Sequence, residues 1–115
     1  MRYLMMFKPD EAPPGGEHAC KQELPEMAQL FGDLTKAGVL LSSTGLYGSE
    51  KGARLRYTGG AFALTDGPFA EAKELVGGVA LVEVPSKAEA VELARRFLRI
   101  AGGGEAEVRE VMEVG

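Results

Sequence analysis

Residues 77–90, GGVALVEVPSKAEA, form the stretch of sequence that decides the fold. Apolar residues fill both sets of alternating positions from Val79 to Val84, which is typical of a strand covered on both faces. Ser86 follows, three residues before Glu89, and this is the spacing of a capping box, which satisfies free backbone amides at the start of a helix. The stretch therefore predicts a central strand that leads directly into a helix.

The other elements follow from the spacing of apolar residues and from glycine-rich breaks. They are a strand at 2–8, a helix at 24–37, a strand at 39–45, a hairpin at 54–57 and 61–65, and a last strand at 105–114 with a bulge near Glu110. This order is that of two split βαβ units with an added hairpin. We therefore expect a ferredoxin-like α+β fold in which residues 1–115 form a single domain.

The two central strands leave one face of the predicted sheet without a cover. Right-handed crossovers place both helices on the same side of the sheet. The first strand and the central strand nevertheless carry apolar residues on both of their sides, so one apolar side of each strand is left bare. Apolar surface of this kind indicates a partner. We expect a homodimer in which a second sheet packs on this face and encloses apolar pockets, as in a dimeric α/β barrel.

Composition excludes several classes of protein. The chain has 115 residues, 45% of them hydrophobic, and a net charge of -4 without a basic stripe, so binding to nucleic acid is not expected. The apolar run at residues 3–7 is far too short to span a bilayer, so no membrane association is expected. The single cysteine, Cys20, cannot form an internal disulfide, which suits a cytoplasmic protein.

Residues 65–74, TDGPFAEAKE, are the densest cluster of special-purpose residues. In one interpretation Asp66 and Gly67 form a turn, with the aspartate as its cap. In the other, Asp66 is a partly buried carboxylate beside an apolar pocket, Lys73 is its counter-charge, and Glu74 is a second acid or base. The sequence leaves both interpretations open.

This segment resembles the signature of the YCII-related family, also called the DGPF domain family. The resemblance extends over most of the chain, through RYLMM at 2–6, GVLL at 38–41, KGARLRY at 51–57, residues 88–97 and EVR at 107–109. It implies a dimeric α+β barrel built from ferredoxin-like protomers. Two positions depart from the family pattern: Val79 stands where many relatives have an aromatic residue, and Leu93 where they have tryptophan. A pocket that touches Val79 would accordingly be larger or less selective.

The resemblance also suggests chemistry, because YciI-like relatives are proposed to use a histidine and aspartate pair. Here the pair would be His18 with Asp33 or Asp66. As the single histidine, His18 has an ordinary pKa near neutrality and is the default general base, although a solvated loop histidine fits the sequence as well. His18 and Cys20 are too few soft ligands for zinc, and no nucleotide-binding fingerprint is present. We expect neither a metal nor another cofactor.

Two functions fit these residues, each with a small-molecule ligand. One is an enzyme of isomerase or lyase type that needs no cofactor, in which Asp66 and His18 move protons while Arg56 or Arg109 holds an anionic substrate. Lys73 and Tyr3 complete the candidate ligand-binding set, although the arginines fit equally well as surface charges. The other is a non-catalytic ligand-binding or accessory module linked to transcription, since some relatives occur beside or fused to sigma factors. Buried, convergent titratable groups would favour the enzyme, and a plain apolar pocket would favour the module.

Overall fold

A computed structural model of the protein describes residues 1–9, 25–47, 51–67 and 76–112. These residues form two helices and six strands in the predicted order. The elements are β1 (Arg2–Lys8), α1 (Pro25–Lys36), β2 (Leu40–Gly45), β3 (Ala53–Thr58), β4 (Ala61–Asp66), β5 (Gly78–Glu83), α2 (Lys87–Ala101) and β6 (Glu105–Glu110). None of the helices in this part of the chain is long and apolar enough to cross a membrane.

The main sheet contains four antiparallel strands in the order β2-β5-β1-β6. With two helices, this order is consistent with the expected ferredoxin-like α+β fold. Tyr3 lies opposite Val82, so the two doubly apolar strands are neighbours at the centre. The expected bulge near Glu110 is absent from the described strand, because β6 pairs regularly with β1 up to that residue. The register shift lies in β2 instead, between Leu40 and Ser42.

Capping residues fix the ends of the helices. α1 begins at Pro25. Proline lacks a backbone N–H, and this is tolerated in the first turn because the amides there have no partner within the helix. The amide of Glu89 donates to the Ser86 hydroxyl at 3.3 Å, as the predicted capping box requires. Gly102 ends α2 with a φ of 85°, and its amide donates to the carbonyl of Leu98. Glycine is required there because the left-handed conformation is costly for other residues.

Both helices pack on the same face of the main sheet, as expected. Tyr3 and Val82 point toward the helices and are buried with Ala90 of α2. A second buried cluster joins Met27 of α1 to Ala101 of α2. Side chains alternate along a strand, so the residues between these positions lie on the opposite face. That face, called here the open sheet face, carries Leu4, Met6, Val79 and Leu81 at its centre, all of them half-buried.

The predicted hairpin is present, but it forms a separate two-stranded sheet of β3 and β4. Its turn is the pair Gly59 and Gly60, with φ values of 61° and 83°, as a tight two-residue turn requires. At its base the amide of Gly67 donates to the carbonyl of Gly52 at 2.9 Å. Every residue of β3 and β4 is exposed, so the hairpin packs little against the rest of the described chain.

Candidate functional site

A cavity of about 420 Å³ lies between the helices and the main sheet, where β1 and β2 end and β5 begins. The helices supply one wall and the helix-facing side of the sheet supplies the other. The helix wall consists of Leu30, Phe31, Leu34, Leu93 and Phe97. Nearly all of the lining side chains are aliphatic or aromatic, so the cavity is suited to an apolar molecule.

Small residues on the sheet leave the space for this cavity. Gly45 of β2 lies opposite Gly78 of β5, so neither strand has a side chain at this pair. The neighbouring helix-facing pair is Ser43 and Ala80, which are also small. A Cβ at Gly78 would meet the carbonyl oxygen of Thr44 at 3.1 Å, so β2 and β5 approach closely here. At these pairs the sheet therefore has only small side chains where it faces the helices across the cavity.

Among the described lining residues, polar side chains occur only in β2 and just after it. Ser43 and Tyr47 carry hydroxyls that can accept or donate hydrogen bonds, whereas Thr44 lies opposite Val79 on the side of the open sheet face. Tyr47 is exposed, and the Lys51 Nζ lies 4.0 Å from the centre of its ring. Among the lining residues within the described ranges, Tyr47 carries the single ionisable side chain. The arrangement can orient a ligand through hydroxyls, and in this part of the chain it contains no carboxylate or imidazole.

Four candidate residues that the structure describes lie on four different strands and do not meet at the cavity. Tyr3 is 3% exposed and belongs to the core, while Asp66 ends β4 and is exposed. Arg56 is exposed on β3, and Arg109 is exposed on β6. None of these four residues lines the cavity. His18 lies outside the described residues. So do residues 68–74, which include Lys73 and Glu74, so neither interpretation of the 65–74 segment is tested.

Arg109 belongs to a charged cluster at the edge of the open sheet face. The Lys8 Nζ donates to Glu107 Oε1 at 2.8 Å, and an Arg109 guanidinium nitrogen donates to Glu107 Oε2 at 3.2 Å. The hydrogen bond to Glu107 raises the pKa of Lys8 above its ordinary value. The hydrogen bonds from Lys8 and Arg109 lower the pKa of Glu107. The cluster therefore places ion-paired side chains at one edge of the open sheet face.

A metal centre is not found where the structure describes the chain. Residues 1–9, 25–47, 51–67 and 76–112 contain no group of three histidine, cysteine or acidic side chains able to hold an ion. His18 and Cys20, the two soft ligands, lie outside these ranges. The expectation of no metal and no other cofactor stays a prediction.

Comparison with known proteins decides the family. The sequence profile of the YCII-related domain matches residues 1–114. The chain belongs to the YCII-related domain family. One solved structure similar to this YCII-related protein is 5-chloro-2-hydroxyhydroquinone dehydrochlorinase from Burkholderia phenoliruptrix AC1100, in complex with 2,5-dihydroxybenzoquinone. The TM-score is 0.51 at 15% sequence identity, over 99% of this chain and 96% of the other. At this identity the likeness shows the fold alone. No curated protein sequence matches the chain.

Sequence reasoning missed the position of the cavity, which lies on the helix side of the sheet. The sequence feature that could have indicated it is a set of glycines, because small residues leave space beside a sheet. Gly45, Gly77 and Gly78 all line the cavity. Val79 and Leu93 are both among the residues around the cavity. Leu93 belongs to its helix wall, whereas Val79 lies opposite Thr44 on the side of the open sheet face.

Proposed function

We propose that this YCII-related protein binds a small, predominantly apolar molecule in the cavity between the helices and the main sheet. The observation that carries this proposal is the cavity itself, about 420 Å³ with aromatic and aliphatic walls. Pockets for small molecules have volumes of roughly 300–1,000 Å³ and a few polar groups that set orientation. Ser43 and Tyr47 are groups of that kind. A ligand of one or two substituted rings fits this chemistry.

The described lining favours a binding module over a catalyst. Acid/base catalysis needs titratable groups within hydrogen-bond reach of the reacting atoms. The described lining has one phenol and otherwise hydroxyl or apolar side chains, and it contains neither of the groups that most often perform such catalysis, imidazole and carboxylate. A non-catalytic ligand-binding or accessory role, including one linked to transcription, follows most directly from such a pocket.

An enzyme is the second candidate, and the order of the chain supports it. Residues 10–24, which include His18, connect β1 to α1, and both of these elements contribute to the cavity wall. Lys73 precedes Gly77, another wall residue, by four positions. The dehydrochlorinase of similar fold, in its complex with 2,5-dihydroxybenzoquinone, is an enzyme whose bound compound contains a ring. In this candidate His18 removes a proton and no cofactor takes part.

We also propose that the protein is a homodimer that pairs through the open sheet face. Leu4, Met6, Val79 and Leu81 stay half-buried there, although both helices pack on the other side. A second open sheet face would cover them in the manner of a dimeric α/β barrel. The paired charges of Lys8, Glu107 and Arg109 would then form part of a polar rim.

Two neighbouring serines provide a matched test of the cavity. Ser43 lies opposite Ala80 and lines the cavity, whereas Ser42 lies opposite Leu81 on the open sheet face. Ser43→Leu should fill the cavity and weaken binding of 2,5-dihydroxybenzoquinone or indole at least tenfold in calorimetry. Ser42→Leu should leave the affinity unchanged. Equal affinity in the two variants, or no binding of any ring-sized probe by the wild type, would refute the proposed site.

The same probes separate the two candidate functions. Substitution of His18 by Gln should leave the affinity unchanged if the protein is a binding module. If the protein is an enzyme, His18→Gln should abolish conversion of a bound probe while its affinity is kept. Product formation by the wild type, followed by mass spectrometry, decides between these outcomes.

A further inference from the structure

The hairpin has one face made of large apolar side chains. Leu55 pairs with Leu64 and Tyr57 pairs with Phe62, and paired residues of an antiparallel ladder lie on the same side. These four residues, called here the hairpin face, are 62%, 65%, 63% and 70% exposed, respectively. The rings of Tyr57 and Phe62 have centroids 4.8 Å apart, so they form one continuous patch. Exposed patches of this kind mark interaction sites.

We propose that the hairpin face packs against a second copy of this chain, with each hairpin of the dimer contacting the other protomer. This inference rests on the proposed homodimer and deepens it, because it adds a second surface to the interface. In this arrangement the hairpin is an arm that packs against the other protomer. In the isolated protomer a two-stranded sheet has only marginal stability, so its apolar face needs a partner.

The area that a stable dimer requires supports this partner. Strand spacing gives the four-stranded open sheet face dimensions of roughly 20 by 19 Å, or roughly 400 Å². A standard interface buries about 800 Å² on each partner, so this face supplies about half of that area. At their exposed fractions of 63% and 70%, Tyr57 and Phe62 alone offer roughly 200–330 Å². With Leu55 and Leu64, the hairpin face brings the total close to the standard area.

The shape of the protomer is also consistent with a projecting hairpin arm. The radius of gyration is 15.6 Å, against about 13 Å for a compact domain of 115 residues. The molecule is flat, with extents of 45, 40 and 19 Å. An isologous two-fold contact buries the same surface on both copies, so a dimer that uses both surfaces would cover two open sheet faces and two hairpin faces.

Two adjacent residues of β4 give a matched test. Phe62 belongs to the hairpin face, whereas Ala63 pairs with Arg56 on the opposite side of the hairpin. Both are exposed in the protomer, so a charge at either position leaves the protomer core intact. Sedimentation velocity over 1–100 µM should show dimers for the wild type and for Ala63→Glu. Phe62→Glu should raise the dimer dissociation constant at least about 30-fold, as loss of a central aromatic contact does. Unchanged far-UV circular dichroism verifies the fold.

A third variant, Leu81→Glu on the open sheet face, separates the two proposals. If Leu81→Glu dissociates the dimer and Phe62→Glu matches Ala63→Glu, the homodimer stands and the hairpin contact is wrong. If Phe62→Glu dissociates the dimer and Leu81→Glu does not, the hairpin contact is supported and pairing through the open sheet face is wrong. A monomeric wild type, with the hairpin face covered by a different partner or by another segment of its own chain, overturns both.

Discussion

Phe31 of α1 and Phe97 of α2 lie with their rings nearly parallel, 8° apart in orientation and 6.2 Å between centroids. Phe97 also meets Phe7 of β1 edge-on, with centroids 5.1 Å apart and planes at 68°. Both arrangements are favourable for aromatic rings. Because all three side chains line the cavity, these contacts hold the two helices and the first strand around it.

Removal of the central ring should therefore affect stability and the cavity together. Phe97→Ala should lower the free energy of unfolding by about 3 kcal/mol, the low end for such truncations, because Phe97 is half-buried. Its exposed neighbour serves as the control, and Arg96→Ala should change stability by less than about 0.5 kcal/mol. Urea unfolding measures both values. Equal stability of the two variants would mean that the aromatic cluster does not hold the helices to the sheet.

Two glycines should respond to alanine in opposite directions. Gly104 has a φ of 100°, and a Cβ there would lie 2.7 Å from the Phe7 ring and 3.0 Å from the Lys8 carbonyl oxygen. Gly104→Ala should thus cost more than about 1 kcal/mol. Gly32 lies within α1 with nothing near the added carbon, so Gly32→Ala should stabilise the protein by about 0.5–1 kcal/mol. Thermal unfolding of both variants tests the contrast, and a stabilised Gly104→Ala would contradict the described turn.

The charged cluster predicts a pH dependence of stability. The pKa of Glu107 is lowered in the folded protein, so its ionised form stabilises the fold above the ordinary carboxylate pKa. This stability is lost as the pH falls through the lowered pKa. The pKa of Lys8 is raised, so its contribution is present below the ordinary lysine pKa and is lost as the pH rises through the raised value.

Glu107→Gln tests this dependence. At pH 7 the variant should have a lower Tm than the wild type, because glutamine carries no charge to pair with Lys8 and Arg109. The difference should shrink as the pH falls below about 4, where carboxylates become protonated. Glu110→Gln, on the same strand, is the control and should show no such convergence. A Tm difference that stays constant from pH 7 to pH 3 would show that the ion pairs are not its source.

Asp66 can be tested independently of its undescribed neighbours. It ends β4 opposite Ala53, is exposed and does not line the cavity. Asp66→Asn should leave probe affinity unchanged and cost only a few tenths of a kcal/mol, and Asp66→Ala should cost about 1 kcal/mol if the carboxylate caps the following turn. Calorimetry and thermal unfolding give both quantities. Loss of affinity in Asp66→Asn at normal stability would instead support the general-base interpretation.

The sequence predicted the main sheet well because side-chain direction alternates along a strand. The doubly apolar pattern of β1 and β5 implied two faces, and the observed register places Leu4 opposite Leu81 on one and Tyr3 opposite Val82 on the other. The cavity could not be predicted in this way. It depends on Gly45 and Gly78 meeting in neighbouring strands, and this pairing is defined only once the register is known.

The hairpin shows a second limit of sequence reasoning. The spacing of two short runs around a glycine-rich turn predicted a hairpin at 54–57 and 61–65. The same spacing would arise if both strands belonged to the main sheet, so it does not reveal that the hairpin forms a sheet of its own. His18 and Lys73 illustrate a third limit, because a side chain on a connecting segment has no periodic neighbours that fix its direction.

The separation of the two sheets has an evolutionary consequence. In the described part of the chain β3 and β4 form a ladder only with each other, while β2 and β5 form the floor of the cavity. Changes of side chain in the hairpin therefore involve no backbone pairing of the four central strands. Under the proposed cavity and the proposed hairpin contact, a change in assembly would not require a change in ligand, nor the reverse. Because the two described sheets share no strand, such changes need no alteration of the strand order.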